Sequence, residues 1–152
     1  MAYFGFTDKL VRGETIEIFN YGNCKRDFTY IDDIVTGIIM IMQRSPGTNE
    51  EGIRYSLYNI GNNHPENLLE FVEILEQELK KAEVLPESYD LDTHKRFVGM
   101  QPGDVEVTYA DISRLESDFG FKPSTPLREG LRRFALWYKE YGVFSETRGF
   151  KD

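Results

Sequence analysis

The stretch from Asn20 to Val35 changes character twice within a few residues, and any fold for this chain must accommodate both changes. It opens as a turn, because Tyr21, Gly22 and Asn23 are residue types that tolerate positive φ. A cation pair, Lys25-Arg26, follows, with Asp27 directly behind it. Phe28 and Tyr30 then alternate with Thr29 and Ile31, which predicts a short strand. Asp32 and Asp33 stand where a helix needs side-chain acceptors for its free amides. Ile34, Val35, Ile38, Ile39 and Met42 supply the stripe of a buried helix. One arginine is thereby held on a short element between a turn and a helix. A guanidinium fixed in that way can grip a phosphate with two parallel hydrogen bonds. Taken without context, Arg26-Asp27 reads more simply as a solvent-exposed ion pair, which contributes little.

Composition narrows the classes. With 152 residues, 40% of them hydrophobic and 14% aromatic, the chain can bury a core and is not a disordered tail. A net charge of −8 argues against a nucleic-acid partner, which needs a basic face, yet leaves room for a phosphorylated ligand in a local basic pocket. The single cysteine, Cys24, cannot form an internal disulfide and points to a reducing compartment. No apolar run has the length of a signal segment or a membrane span, so a cytoplasmic protein with no membrane partner is expected. His64 and His94 have no Cys, Asp or Glu at metal-ligand spacing, and no metal site is expected.

Periodicity outlines the remaining elements. Residues 1–12 predict a helix with Tyr3, Phe6 or Thr7, and Leu10 on one face, stopped by Gly13. Residues 15–19 predict a short strand, with Ile16 and Ile18 opposite Glu17 and Phe19. Phe19, just before the turn, is either a core residue or a flat surface for a nucleobase. Residues 44–54 read as loop, and 55–60 as a strand of nearly continuous apolar character, as in sheets covered on both faces. Asn63 or His64 should cap the next helix, with Pro65 in its first turn and Leu68, Phe71, Val72, Leu75 and Leu79 as its stripe. The acidic residues of 66–78 read as its solvated face. The segment 81–100 is loop-like, with a short strand at 96–100. Pro102-Gly103 predicts a turn before a strand at 105–109. Asp111 then caps a helix ended by Gly120, and Thr125-Pro126 opens a last helix with Leu127, Leu131, Phe134 and Tyr138 on one face. Beyond Tyr141 periodicity lapses, so the expected division is a domain at 1–141 and a flexible tail at 142–152.

Three segments together resemble one family. They are Lys25-Arg26-Asp27-Phe28-Thr29-Tyr30-Ile31-Asp32-Asp33-Ile34, the turn Gln101-Pro102-Gly103-Asp104, and the ending from Asp111 through Gly120-Phe121-Lys122-Pro123 to Trp137-Tyr138. In this order and spacing they resemble the C-terminal half of the extended short-chain dehydrogenase/reductase enzymes that act on nucleotide sugars, closest to the UDP-glucuronate 4-epimerase branch. The resemblance implies a mixed α/β fold, the C-terminal substrate-binding portion of an extended Rossmann-type epimerase, with short strands and four to five helices. It implies that Arg26 pairs with a phosphate, that Phe19 and Phe28 border uracil and ribose, and that Gln101 and Asp104 contact the nucleotide. Position 101 is often arginine in the galactose branch; Gln101 can hydrogen-bond but brings no charge, which leaves Arg26 as the phosphate cation.

The family's remaining chemistry has no counterpart here. Its NAD site needs a Gly-rich turn between strand and helix, and the glycines at 61, 99, 103 and 120 do not form one. Its catalytic Tyr-x-x-x-Lys pair has only Tyr21 and Lys25 as an echo, in a turn-rich stretch where the two side chains need not face each other. No catalytic or cofactor-binding residue is assigned, and the expected role is UDP-sugar binding, inactive alone. A UDP-sugar decarboxylase or dehydratase portion is the alternative within the family, and a non-catalytic interaction domain the alternative outside it. Self-association is expected through the first helix and the 55–60 strand, the apolar surface that a complete enzyme would cover.

Overall fold

The computed structural model describes residues 2–48 and 50–148. Two compact units are built from interleaved segments, the first from 1–24, 67–106 and 126–152, the second from 25–66 and 107–125.

In the first unit, helix α1 (Ala2–Val11) buries Thr7 and Leu10. It stops where Gly13 takes φ +71 and the amides of Gly13 and Glu14 donate back to Leu10 and Lys9. A left-handed residue closes a helix this way at least cost when it lacks a Cβ. Strand β1 (Ile16–Ile18) buries both isoleucines and pairs in parallel with β4 (Lys95–Phe97), Ile16 opposite Lys95 and Ile18 opposite Phe97. Both strands are shorter than the alternation suggests. Phe19 leaves β1 to open a 3-10 turn through Gly22, and Asn20 and Tyr21 take left-handed φ of 48° and 52°.

Helix α3 (Leu68–Lys81) begins later than its sequence signals suggest. Asn63, His64 and Pro65 do not start it, because Pro65–Asn67 are committed to a strand, β3. Asn67 is the cap instead, its Oδ1 accepting from the amides of Leu69 at 2.8 Å and Glu70 at 3.3 Å. The expected stripe is otherwise in place, with Phe71, Val72, Leu75 and Leu79 buried against α5 (Leu127–Arg148). Helix α5 contributes buried Leu131 and Ala135, and its Phe134 and Tyr138 meet Tyr3 and Phe4 edge-on at 4.9 and 5.7 Å between ring centres. The helix continues past the point where sequence periodicity lapses; residues 149–152 lie outside the described residues. Glu78 departs from the expected solvated face. It is 2% exposed, and its Oε1 accepts from Lys81 at 2.8 Å and Arg128 at 2.7 Å.

In the second unit, the short strand lies earlier than the Phe28–Ile31 alternation. It is β2 (Lys25–Asp27), hydrogen-bonded to β3 and bridged in parallel from Lys25 to Val107. Helix α2 (Ile31–Met42) forms as expected but is not buried. Only Gly37 on it is buried, close under Ile60 and Phe121, whereas Ile39 is 50% and Met42 79% exposed. The segments 55–60 and 105–109 form no strands; Val107 alone makes a bridge. Strand-like composition becomes a strand only with a partner for its ladder. Helix α4 (Ser113–Phe119) ends as expected on Gly120, at φ +61. The expected apolar exposure is met at 55–60, where Tyr55 and Leu57 are exposed, and only at Val11 on α1, which otherwise buries Thr7 and Leu10; α2 adds a further exposed apolar face.

Among the described residues, no helix is long and apolar enough to cross a membrane, and no three potential metal ligands cluster.

Candidate functional site

The segment around Arg26 is held by side-chain acceptors reaching distant backbone. Asp27 Oδ2 accepts from the amides of Asn63 and Ala110, both at 3.0 Å. Thr29 Oγ1 accepts from the amide of Asn62 at 3.1 Å. Asp33 Oδ2 accepts from the amides of Ser124 at 3.3 Å and Thr125 at 2.9 Å. The carboxylates expected to cap α2 are therefore not its caps. Tyr30 holds the cap position with no side-chain bond to the helix's own first amides, and Asp32 and Asp33 sit in the first turn, where their charge suits the helix dipole.

Arg26 is half-buried, and its Nη1 donates to the carbonyl of Lys25 at 3.0 Å. The same carbonyl accepts from the amide of Thr108 at 3.2 Å. Phe28, also half-buried, follows outside any strand or helix, just before α2. These two expected nucleotide contacts belong to the second unit.

The other three belong to the first unit. Phe19 is half-buried at the start of the 3-10 turn, which is tied down by Val98 donating to Ile18 at 3.0 Å and Tyr21 donating to Val98 at 3.1 Å. Gln101 and Asp104 are exposed at the two ends of the expected Pro-Gly turn. The Asp104 amide donates to the Gln101 carbonyl at 3.1 Å, Gly103 takes φ +84, and Asp104 Oδ1 accepts from Val105 at 2.9 Å. A proline before a residue of positive φ makes this a type II turn.

A cavity of about 360 Å³ in the second unit involves none of these five residues. Its charged lining closes on itself. Asp118 Oδ2 accepts from the Tyr58 hydroxyl at 2.7 Å and lies 3.7 Å from Arg114, while Arg44 donates to the Asp118 carbonyl at 2.8 Å. Arg114 also donates to Ser56 Oγ at 3.2 Å. No sequence signal marks this network, since its members are scattered single residues joined only by folding.

Two family features can be tested on the structure. A dinucleotide pyrophosphate needs a helix N-terminus entered from a Gly-rich turn. Among the described residues α2 follows Tyr30, α3 follows Asn67, α4 follows Ile112 and α5 follows Pro126, so none fits. Gly61 faces Ala110 and Asp27 rather than open space: a Cβ there would lie 2.5 Å from the Ala110 Cβ. Tyr21 and Lys25 share no helix, Tyr21 lying in the left-handed turn and Lys25 opening β2.

Residues 8–134 match the family model described as GDP-mannose 4,6 dehydratase. The chain is 39% identical to protein CapI of Staphylococcus aureus over 93% of its own length and 42% of that protein's. It is also 39% identical to UDP-glucuronate 4-epimerase 2 of Arabidopsis thaliana, over 93% of this chain and 32% of that one. The solved UDP-glucuronic acid 4-epimerase of Bacillus cereus, in complex with UDP-glucuronic acid and NAD, matches with a TM-score of 0.68 at 25% identity, over 93% of this chain and 40% of that one. The chain thus spans less than half the length of the relatives it matches.

Proposed function

This chain belongs to the NAD-dependent nucleotide-sugar epimerase/dehydratase family, and on that footing we propose that it is the UDP-sugar-binding, C-terminal portion of a UDP-glucuronate 4-epimerase. In this reading Arg26 is the phosphate cation and Phe19 and Phe28 border uracil and ribose. Gln101 hydrogen-bonds to the nucleotide, and Asp104 accepts from ribose hydroxyls. The chain's contribution is orientation of the sugar, by binding energy spent away from the reacting carbon. NAD, when bound in such an enzyme, supplies the hydride chemistry. Among the described residues none fits its pyrophosphate, so no redox step is assigned to them, and the chain by itself is expected to be inactive.

The observation that carries the reading is the anchoring of the Arg26 segment. Three acceptors, Asp27, Thr29 and Asp33, tie residues 27–33 to backbone amides at 62–63, 110 and 124–125. A guanidinium held on so constrained a segment loses less entropy on meeting a phosphate. The choice of sugar is supported by the relatives named UDP-glucuronate 4-epimerase and by the bound UDP-glucuronic acid in the Bacillus cereus structure. The family model's own description supports a dehydratase as the second reading. The exposed α2 face supports self-association or cover by further protein surface.

Calorimetric titration of the chain with UDP tests the proposal. Saturable binding that Arg26→Ala abolishes, and that weakens as salt screens the phosphate contact, is the expected result. Absence of binding by the folded chain, or binding indifferent to Arg26→Ala, overturns it.

A further inference from the structure

We propose that Asp27 is a positioning residue whose carboxylate holds Arg26 ready for a phosphate. This rests on the reading of Arg26 as the phosphate cation. Successive side chains of a strand point to opposite faces, so in β2 an Asp27 anchored inward sets the direction of Arg26. The anchor is two-sided. Asp27 Oδ2 accepts at 3.0 Å from Asn63 and at 3.0 Å from Ala110, which lie on two different segments. The segment carrying Ala110 also meets the start of β2, where Thr108 donates to the Lys25 carbonyl that Arg26 Nη1 uses. Charge-assisted bonds to backbone amides are the strong kind, and one oxygen holds both.

Two further details fit an anchoring role. Gly61 leaves room for the carboxylate: a Cβ at 61 would lie 2.9 Å from Asp27 Oδ2. The second oxygen, Oδ1, is buried and has no hydrogen-bond partner among the described residues. A buried carboxylate oxygen left unpaired disfavours the fold, so the contribution of Asp27 lies in the two bonds at Oδ2.

Nitrogen-15 relaxation of the Arg26 Nε–H, measured on the full chain, tests this without any ligand. Asp27→Asn retains a carbonyl oxygen for both amides and is expected to keep Arg26 ordered. Asp27→Ala and Gly61→Ala are expected to release it. UDP titration of the same variants should give a dissociation constant raised on the order of tenfold in Asp27→Ala and little changed in Asp27→Asn. Because Asp27 acts through Arg26, Asp27→Ala should cost less affinity in an Arg26→Lys background, which keeps a cation and measurable binding, than it costs beside Arg26. An Arg26 as ordered in a folded Asp27→Ala or Gly61→Ala protein as in the wild type overturns the proposal. If the wild type fails to bind UDP while Arg26 loosens in the variants, the positioning role stands and the nucleotide reading falls.

Discussion

Asp33 accepts the backbone amide of Thr125 at 2.9 Å across 92 positions of sequence. A carboxylate at the start of a helix ordinarily serves that helix's own amides; here it fastens a distant extended segment. Asp33→Ala should lower stability by roughly 1.5 kcal/mol, the scale of a hydrogen bond to a charged group. Chemical denaturation should record that loss with an unchanged denaturant slope. Asp33→Asn should lose less, because its amide oxygen can still accept.

Capping of α3 separates two neighbouring positions cleanly. Asn67→Ala removes the acceptor for two amides and should cost about 1 kcal/mol. His64→Ala, at one of the two positions that sequence pattern alone points to as the cap, should stay within about 0.5 kcal/mol of wild type. Equal losses at both positions in thermal unfolding would contradict the helix start at Leu68.

Glu78 ties acid stability to one buried carboxylate. Burial by itself raises its pKa, but the hydrogen bonds and charges of Lys81 and Arg128 outweigh burial and hold it below the usual carboxylate range. A depressed folded value means stability is fully present above the unfolded value, about 4.3 for Glu, and is lost as pH falls through the lower folded value. Glu78→Gln should therefore cost about 1.5–3 kcal/mol at neutral pH and much less in acid. Stability curves of the two proteins that run parallel down to low pH would rule out this role.

The exposed face of α2 should make the chain self-associate. Ile39 and Met42 stand 50% and 79% exposed beside other apolar positions of the helix, and contiguous apolar surface of this kind marks an interaction site. Sedimentation velocity should show mass increasing with concentration, and Ile39→Lys with Met42→Glu should suppress it. A wild type that stays monomeric at high concentration would count against the expectation.

Features that depend on neighbours in sequence were legible before folding. The left-handed stops at Gly13 and Gly120, the Pro102-Gly103 turn and the buried face of α3 follow from local φ preferences and from a 3.6-residue period. Within the candidate site, the turn holding Gln101 and Asp104 was legible in sequence. The distant amides that hold the segment following Arg26 were not. Strands were legible only in part for the same reason: those expected at 15–19 and 96–100 formed, shortened, at 16–18 and 95–97, whereas 28–31, 55–60 and 105–109 have strand-like composition and form none, and a second ladder formed at 25–27 and 65–67 instead. A ladder needs a second segment at hydrogen-bonding distance, and which segment arrives is decided by packing far along the chain. Asp27 and Asp33 found amides 83 and 92 positions away, and Glu78 found Arg128 50 positions away. A charged group takes the partner that folding brings within 3 Å, and nothing in the spacing of residues records that distance.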